Sequence, residues 1–339
     1  MKVREIRPLV EANLKQSALD AAIARATGFL RERLRSGTYG LALVGSDGIR
    51  FNENKGHVFV ASFITDAMTG LLDEIDRTII LVRILSEENG GMWGYAPPAP
   101  DHSDGSRVRH VDSDDTAYVI RTLRRLQVNR TPEPLLAFHR EPERLFVTFD
   151  SPGSTSLTTE RSEQNNLLAH PEVNFNVFLA LQGTHLEGFV NQDLLPQTQD
   201  ASGFWRSYFY PSLLFGTNLA LDVLLRYPRL ADSARRGLSF ILDSQNDDGS
   251  WGAESDAYET ALAVASLAAY PGTAASVERG VAHLLATMAP DGSWSSRASV
   301  WDFPLDGRVL HGYDTYRAYV SARCVTALRR ATGQITAFS

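Results

Sequence analysis

The strongest constraint on this chain is a repeated unit: an amphipathic helix, a turn carrying glycine and an aromatic residue, then a more apolar helix that opens with Asp, Tyr or Thr. The clearest copies lie at the end. One runs from Ala231 to Tyr270 with the turn Ser244-Gln245-Asn246-Asp247-Asp248-Gly249-Ser250-Trp251-Gly252, and the next from Ala274 to Leu328 with the turn Pro290-Asp291-Gly292-Ser293-Trp294. Trp294 follows Trp251 by 43 residues, a step typical of helical-pair repeats. Trp205, 46 residues before Trp251, heads another pair, Trp93 heads one more, and the segments from Leu19 to Leu34 and Val58 to Leu72 make the first. The weakest unit lies between Leu126 and Leu186, with a β-branched run at Leu145-Phe146-Val147-Thr148-Phe149 and a polar loop from Asp150 to Asn166. Six pairs predict an all-α chain, a single (α/α)6 toroid with apolar helices inside and amphipathic helices outside. It would occupy residues 17–332, with an irregular insertion around 140–170, an N-terminal extension at 1–16 and a tail at 333–339.

Composition narrows the partners. Of 339 residues 43% are hydrophobic and 22% charged, and 40 acids against 33 bases give a formal charge of −7, which argues against nucleic acid or an anionic membrane as the main partner. The start, Met1 to Pro8, lacks the apolar core of a signal peptide, and no run approaches a membrane span, so a cytoplasmic location is expected. Cys324 is the single cysteine; it forms no disulfide framework and no thiolate zinc site.

The chemistry is concentrated in two neighbouring stretches, Gly90-Gly91-Met92-Trp93-Gly94-Tyr95 and Asp112-Ser113-Asp114-Asp115-Thr116-Ala117. Three carboxylates open a helix that carries Ala117, Ile120 and Leu123 on one side and Arg121, Arg124 and Arg125 on another. Asp at a helix start is ordinary capping chemistry. Crowded in a partly apolar site, however, carboxyls cannot all ionise, and one keeps its proton near neutral pH as a general acid.

At these residues the chain resembles the class II terpene cyclases, whose helix-opening Asp-x-Asp-Asp-Thr-Ala protonates an alkene or epoxide and starts polyene cyclisation. The Gly-Gly-x-Trp-Gly-Tyr stretch has its counterpart in squalene-hopene cyclases, and the Gln245 to Trp251 turn resembles the Gln-Trp repeat of squalene cyclases and of protein prenyltransferase β subunits, which share this barrel. The resemblance implies Asp114 as proton donor, with Asp112 and Asp115 holding and re-protonating it. It also places Asn176 where squalene-hopene cyclases carry a histidine that hydrogen-bonds the donor. Asn176 adds no positive charge, and His110 and His185 are the histidines that would substitute.

The mouth of such a toroid gathers the second-helix starts, expected at Asp112 to Thr116, Glu172 to Asn176, Tyr208 to Tyr210, Asp256 to Thr260 and Gly312 to Tyr316. Substrate-binding candidates are therefore Trp93, Tyr95, Phe175, Phe178, Tyr208, Phe209, Tyr210, Tyr258, Tyr313 and Tyr316, aromatic faces suited to a migrating cation. A diphosphate would be anchored by Arg206 and Arg317, with Lys55, Arg297 and Arg308 as further cations near turns. The expected partner is a small-molecule isoprenoid, a prenyl diphosphate or related polyene, collected from solution or by peripheral membrane contact. Protonation needs no metal; Mg2+ would enter only with a diphosphate. Class II cyclases usually place their pocket between two barrels, so a homodimer, a partner domain or the loop from Asp150 to Asn166 would close this one. Two other readings compete: a toroid that binds an isoprenoid or a protein without catalysis, and an (α/α)6 glycan-active enzyme pairing Asp114 with Glu172, Asp256 or Glu259.

Overall fold

Which helices go inside follows from their sequences. In the computed structural model, which describes residues 3–45, 48, 50–53, 57–94, 111–149, 169–305 and 308–336, six helices with buried apolar faces pack in a closed ring. They are α2 (Val58–Ala67), α4 (Ser113–Arg125), α5 (Pro171–Leu181), α7 (Leu213–Leu224), α9 (Ala257–Leu267) and α11 (Ala318–Ala331). Each packs on the next, and α11 returns to α2. The outer layer is α1 (Val3–Ser36), α3 (Glu74–Ser86), α6 (Leu194–Thr198), α8 (Ala231–Asp243) and α10 (Ala274–Thr287), with a 3-10 segment, Glu133–Phe138, ahead of α5. This is the (α/α) toroid expected from the repeats. Helix α1 begins within the stretch expected as an extension.

The expectation did not include strands. A hairpin between α1 and α2, β1 (Ala42–Gly45) and β2 (Arg50–Glu53), joins a second between α10 and α11, β5 (Trp301–Leu305) and β6 (Arg308–Tyr313), in an antiparallel sheet ordered β2-β1-β6-β5. The two connections can meet because α2 and α11 are neighbours where the ring closes. The expected helix start at Gly312 to Tyr316 is thus corrected: Gly312 and Tyr313 end β6, and α11 starts at Ala318, its N-terminus capped by Asp314, whose carboxylate accepts from the N–H groups of Ala318 at 3.1 Å and Val320 at 2.7 Å. The β-branched run forms only a two-residue strand, β4 (Leu145–Phe146), paired with β3 (His139–Arg140).

Four tryptophans repeat one device. The indole N–H of Trp93, Trp205, Trp251 and Trp294 donates at 2.7 Å to a carbonyl of the preceding outer helix: Ile84, Leu195, Ile241 and Leu284 in turn. The backbone N–H of each donates to a hydroxyl of the following inner helix, Thr116, Thr217, Thr260 or Ser321. Gln199 and Gln245 then tie two of these turns to the next outer helix through the carbonyls of Ser233 and Ser276. Here the Trp ring is a rivet between hairpins.

The rivets need room. A Cβ at Gly280 of α10 would lie 2.8 Å from Trp251 Cζ3 and 2.5 Å from Val264 Cγ2. Gly280→Ala gains about 1 kcal/mol in helix propensity but overpacks a tight contact at a cost of about 1–3 kcal/mol. The expected net is a destabilisation of up to about 2 kcal/mol, read as a lower urea midpoint at unchanged slope. An unchanged midpoint would mean that the Trp251 ring is free to shift.

Candidate active site

The start of α4 is fixed from both sides. Asp112 is the N-cap, its Oδ1 accepting from the Asp115 N–H at 2.7 Å, while its own N–H donates to the Trp93 carbonyl at 2.9 Å. Thr116 Oγ1 lies 2.9 Å from Trp93 N and 3.1 Å from Trp93 O. Ser113 bonds the segment after β4 through Thr148 O at 3.0 Å and Val147 O at 2.9 Å. Asn174 holds β4 itself, bonding Phe146 N and O at 2.8 Å. Trp93 therefore sets the helix that carries the acids. It is 1% exposed with its polar groups spent on this task, which corrects its expected place as a substrate liner.

The three carboxyls have different surroundings. Asp112 and Asp115 are buried side by side, and burial first, then the Asp112 charge, pushes Asp115 well above the usual carboxylate range, so that it keeps its proton. Asp114 is only half-buried. Its Oδ1 accepts from Asn176 Nδ2 at 2.8 Å and its Oδ2 from the Tyr210 hydroxyl at 3.0 Å. Burial, then repulsion from Asp112, raises its pKa to about 7 against the opposing pull of those two donors. Asp114 thus exchanges a proton near neutrality, in a fixed orientation.

Aromatic rings from five inner helices surround this carboxyl at the first and second turns. Phe59 of α2 stacks on Tyr319 of α11 at 5.7 Å and on Tyr210 at 6.3 Å, and meets Tyr118 of α4 edge-on at 5.5 Å. Tyr210 stacks on Phe215 of α7 at 3.6 Å, and Tyr258 of α9 lies 5.6 Å from Tyr319. Further along the helices the interior turns polar. Arg323 spans from α11 to Asn218 of α7 at 2.7 Å, between the faces of Phe63 and Phe215. Beyond it, Arg330 forks onto Asp222 with both contacts at 2.9 Å, and Arg125 pairs with Asp66 at 2.8 Å. The C-terminal end of the ring is closed by charge, which leaves chemistry to the N-terminal end.

At that end a second series of rings runs through His170, Tyr208, Phe209, Phe303 and Trp301. His170 stacks on Tyr208 at 4.1 Å, Phe209 on Phe303 at 6.2 Å, and Phe303 on Trp301 at 5.5 Å. The Asp302 N–H donates to the Phe209 carbonyl at 2.6 Å, so the sheet reaches from the start of α11 to that of α7. Glu172 fastens the same loop: its Oε1 accepts from Tyr208 N at 2.7 Å and Phe209 N at 3.0 Å, and burial lifts its pKa to about 7.

Other expected residues fall elsewhere. Phe175 and Phe178 are buried and pair with each other at 6.4 Å. Arg317 bonds Asp291 at 2.8 Å and lies over Phe29, a tie between α11 and α1. Arg206 is exposed over Phe204, which packs on Phe240 of the outer helix α8. Arg297 is exposed and pairs with Glu254, and His185 pairs with Glu133 on the surface. Tyr313 ends β6 and Tyr316 packs against the core in the turn before α11. Tyr95, His110, Lys55 and the loop from Asp150 to Asn166 lie outside the described residues, as does the side chain of Arg308. The residues that sequence reasoning missed are Phe59, Tyr118, Phe215 and Tyr319, and the strand residue Phe303. The Asp47-Gly48 and Asp306-Gly307 dipeptides are hairpin signals that would have found the sheet.

Among the described residues no group of three or more His, Cys, Asp or Glu side chains is placed to hold a metal ion, and no helix is long and apolar enough to cross a membrane.

Residues 186–331 match the squalene-hopene cyclase C-terminal domain. A copalyl diphosphate synthase from Streptomyces cyslabdanicus is 28% identical over 155 residues, 43% of this chain but only 28% of that protein's length. The type II terpene cyclase MstE from Scytonema, solved with the product merosterolic acid A, shares the fold with a TM-score of 0.75 at 17% identity, over 95% of this chain and 99% of that one. The ent-copalyl diphosphate synthase from Streptomyces platensis gives a TM-score of 0.61 at 22% identity, over 81% of this chain and 50% of that chain. The domain match begins after the Asp motif, and at these identities the likeness of the solved structures is one of fold. Residues 186–331 are thus similar to the squalene-hopene cyclase C-terminal domain, and the toroid is the fold of the type II terpene cyclase MstE.

Proposed function

We propose that the protein is a class II terpene cyclase in which Asp114 protonates a linear isoprenoid. One observation carries this reading: Asp114 alone of the three carboxyls is partly open, held between two hydrogen-bond donors, beside aromatic rings and poised near neutrality. In the first step the acidic proton passes to a terminal alkene carbon, whose π electrons form the new C–H bond and leave a tertiary cation. The Asn176 and Tyr210 donors steady the carboxylate left behind. Neighbouring double bonds attack the cation in turn, aromatic faces stabilise it without adding to it, and loss of a proton ends the sequence. The Asp112–Asp115 pair, in which the buried Asp115 keeps its proton beside Asp114, is placed to restore it.

The neighbours suggest the substrate class. MstE has been solved with geranylgeranyl dihydroxybenzoate, and the synthases named above are copalyl diphosphate synthases; a geranylgeranyl chain bearing an anionic or aromatic head is the first substrate to try. Mg2+ would accompany a diphosphate, with no part in the protonation. Closure of the mouth is assigned to the sheet together with a second copy or a partner domain. The buried lone Cys324 fits a cytoplasmic setting. The glycan reading wants a second open carboxyl across a cleft, whereas Glu172 is fully buried, Asp256 caps α9, and Glu259, lifted to about 7 by burial, bonds Ser212.

Because the protonated form reacts, activity falls as pH rises through about 7, where Asp114 loses its proton. A pH profile of kcat/KM on a cyclised substrate checks this. A rate that climbs with pH across neutrality would remove Asp114 from the role of acid.

A further inference from the structure

We propose that Arg121 is the positioning residue of the acid: it fixes which way the Asn176 amide faces and so keeps a hydrogen-bond donor on the Asp114 carboxyl. This rests on the reading of Asp114 as proton donor. An asparagine amide has a donor end and an acceptor end of nearly the same shape, and its neighbours decide which end faces where. Arginine carries donors only. Arg121 Nη1 lies 2.7 Å from Asn176 Oδ1, so the oxygen must face the guanidinium and the NH2 group must face the other way. There it meets Asp114 Oδ1 at 2.8 Å and the Asp114 carbonyl at 2.9 Å. The reversed amide would set its oxygen against two oxygens and its N–H groups against a cation.

Burial makes the choice binding. Arg121 is 8% exposed and Asn176 is fully buried, so bulk solvent competes for neither group. The guanidinium pairs with no carboxylate among the described residues; it rests over the Tyr118 ring at 5.6 Å. Its charge therefore polarises the amide, and the amide passes that on to Asp114. In this way the chain supplies beside its acid the positive charge that Asn176 itself lacks.

The other ionisable groups around Asp114 are Asp112 and Asp115 before and after it, Tyr118 on the same helix, Glu172 of α5, Tyr210 ahead of α7 and Tyr319 of α11. None of them contacts the Asn176 oxygen, so a change at Arg121 reaches the acid through the amide.

The test needs no substrate. The carboxyl of Asp114 is titrated by infrared difference spectroscopy, identified as the band lost in Asp114→Asn. With Arg121→Met the amide is free to turn, the carboxylate loses a donor, and the midpoint is expected to rise by about one unit or more. Arg121→Lys, which can still donate to Asn176 Oδ1, should recover part of the shift, and in an Asn176→Leu background Arg121→Met should add nothing further. If the Met variant does not fold, Arg121→Leu, which likewise carries no donor, is read in the same way. An unshifted midpoint in a folded variant, or an equal shift in the Asn176→Leu background, overturns the proposal. Either outcome holds whether or not the protein cyclises the substrates offered, so failure of the cyclase reading is seen separately, in wild-type turnover.

Discussion

Asp114→Asn is expected to lower cyclisation by about 10⁴-fold, the upper range for removal of a general acid, while leaving the fold intact. The substitution keeps the shape of the side chain and its partners. The new amide oxygen still accepts from Asn176, and the new NH2 group can donate to the Tyr210 hydroxyl, so neither hydrogen bond need be lost. What disappears is the transferable proton. The variant also separates chemistry from stability. The folded state holds the Asp114 pKa at about 7, far above its ordinary 3.8, so wild-type protein binds that proton more tightly when folded. This contribution to stability is full below the ordinary value and is lost as pH rises through about 7; the variant has no such loss. Chemical denaturation at acidic and alkaline pH should therefore show wild-type protein losing ground to the variant as pH rises. Activity in Asp114→Asn close to wild type, with product identity confirmed by mass spectrometry, would reassign the acid.

The second large effect lies at the closed end of the toroid. Asp222→Ala leaves the Arg330 guanidinium buried without the carboxylate that takes both of its forked contacts, 10% and 5% being the exposures of the two side chains. Removing one partner of a buried pair costs about 3–5 kcal/mol, because the desolvated charge that remains has nothing to offset it. Replacing both, as Asp222→Leu with Arg330→Met, should recover most of that loss. Urea denaturation of the single and double variants decides the point. A single variant within about 1 kcal/mol of wild type would mean that water reaches this end of the barrel and screens the pair.

The toroid was legible because burial of one helix against others writes a period into the sequence. The turns with Trp205, Trp251 and Trp294 mark where outer helices hand over to inner ones, and the structure places each indole in the same pair of hydrogen bonds. The acid motif was legible for a chemical reason: three carboxyls in four positions are costly unless something uses them. What could not be read was anything that depends on two distant segments meeting. Arg121 looked like part of a solvated helix face, yet α4 is an inner helix with no solvated face at its middle, and the arginine enters a polar layer under the rings. Tyr210 and Phe59 stand 96 and 55 residues from Asp114, and only closure of the ring brings them beside it. The sheet was missed because β1 and β6 are far apart in sequence and become neighbours only where the last hairpin meets the first. Trp93 was misassigned for the opposite reason: closeness in sequence to the acids suggested contact with substrate, where the structure gives it the task of holding their helix.

If cyclisation begins with a proton delivered by Asp114, turnover in deuterium oxide marks that proton in the product. Geranylgeranyl diphosphate, geranylgeranyl dihydroxybenzoate and squalene are each offered to the wild-type protein, and the products are read by mass spectrometry and NMR. The expected result is a cyclised product carrying one deuterium at the carbon of the former terminal alkene, and none formed by Asp114→Asn. A cyclised product without that deuterium, or one formed equally by the variant, would contradict it.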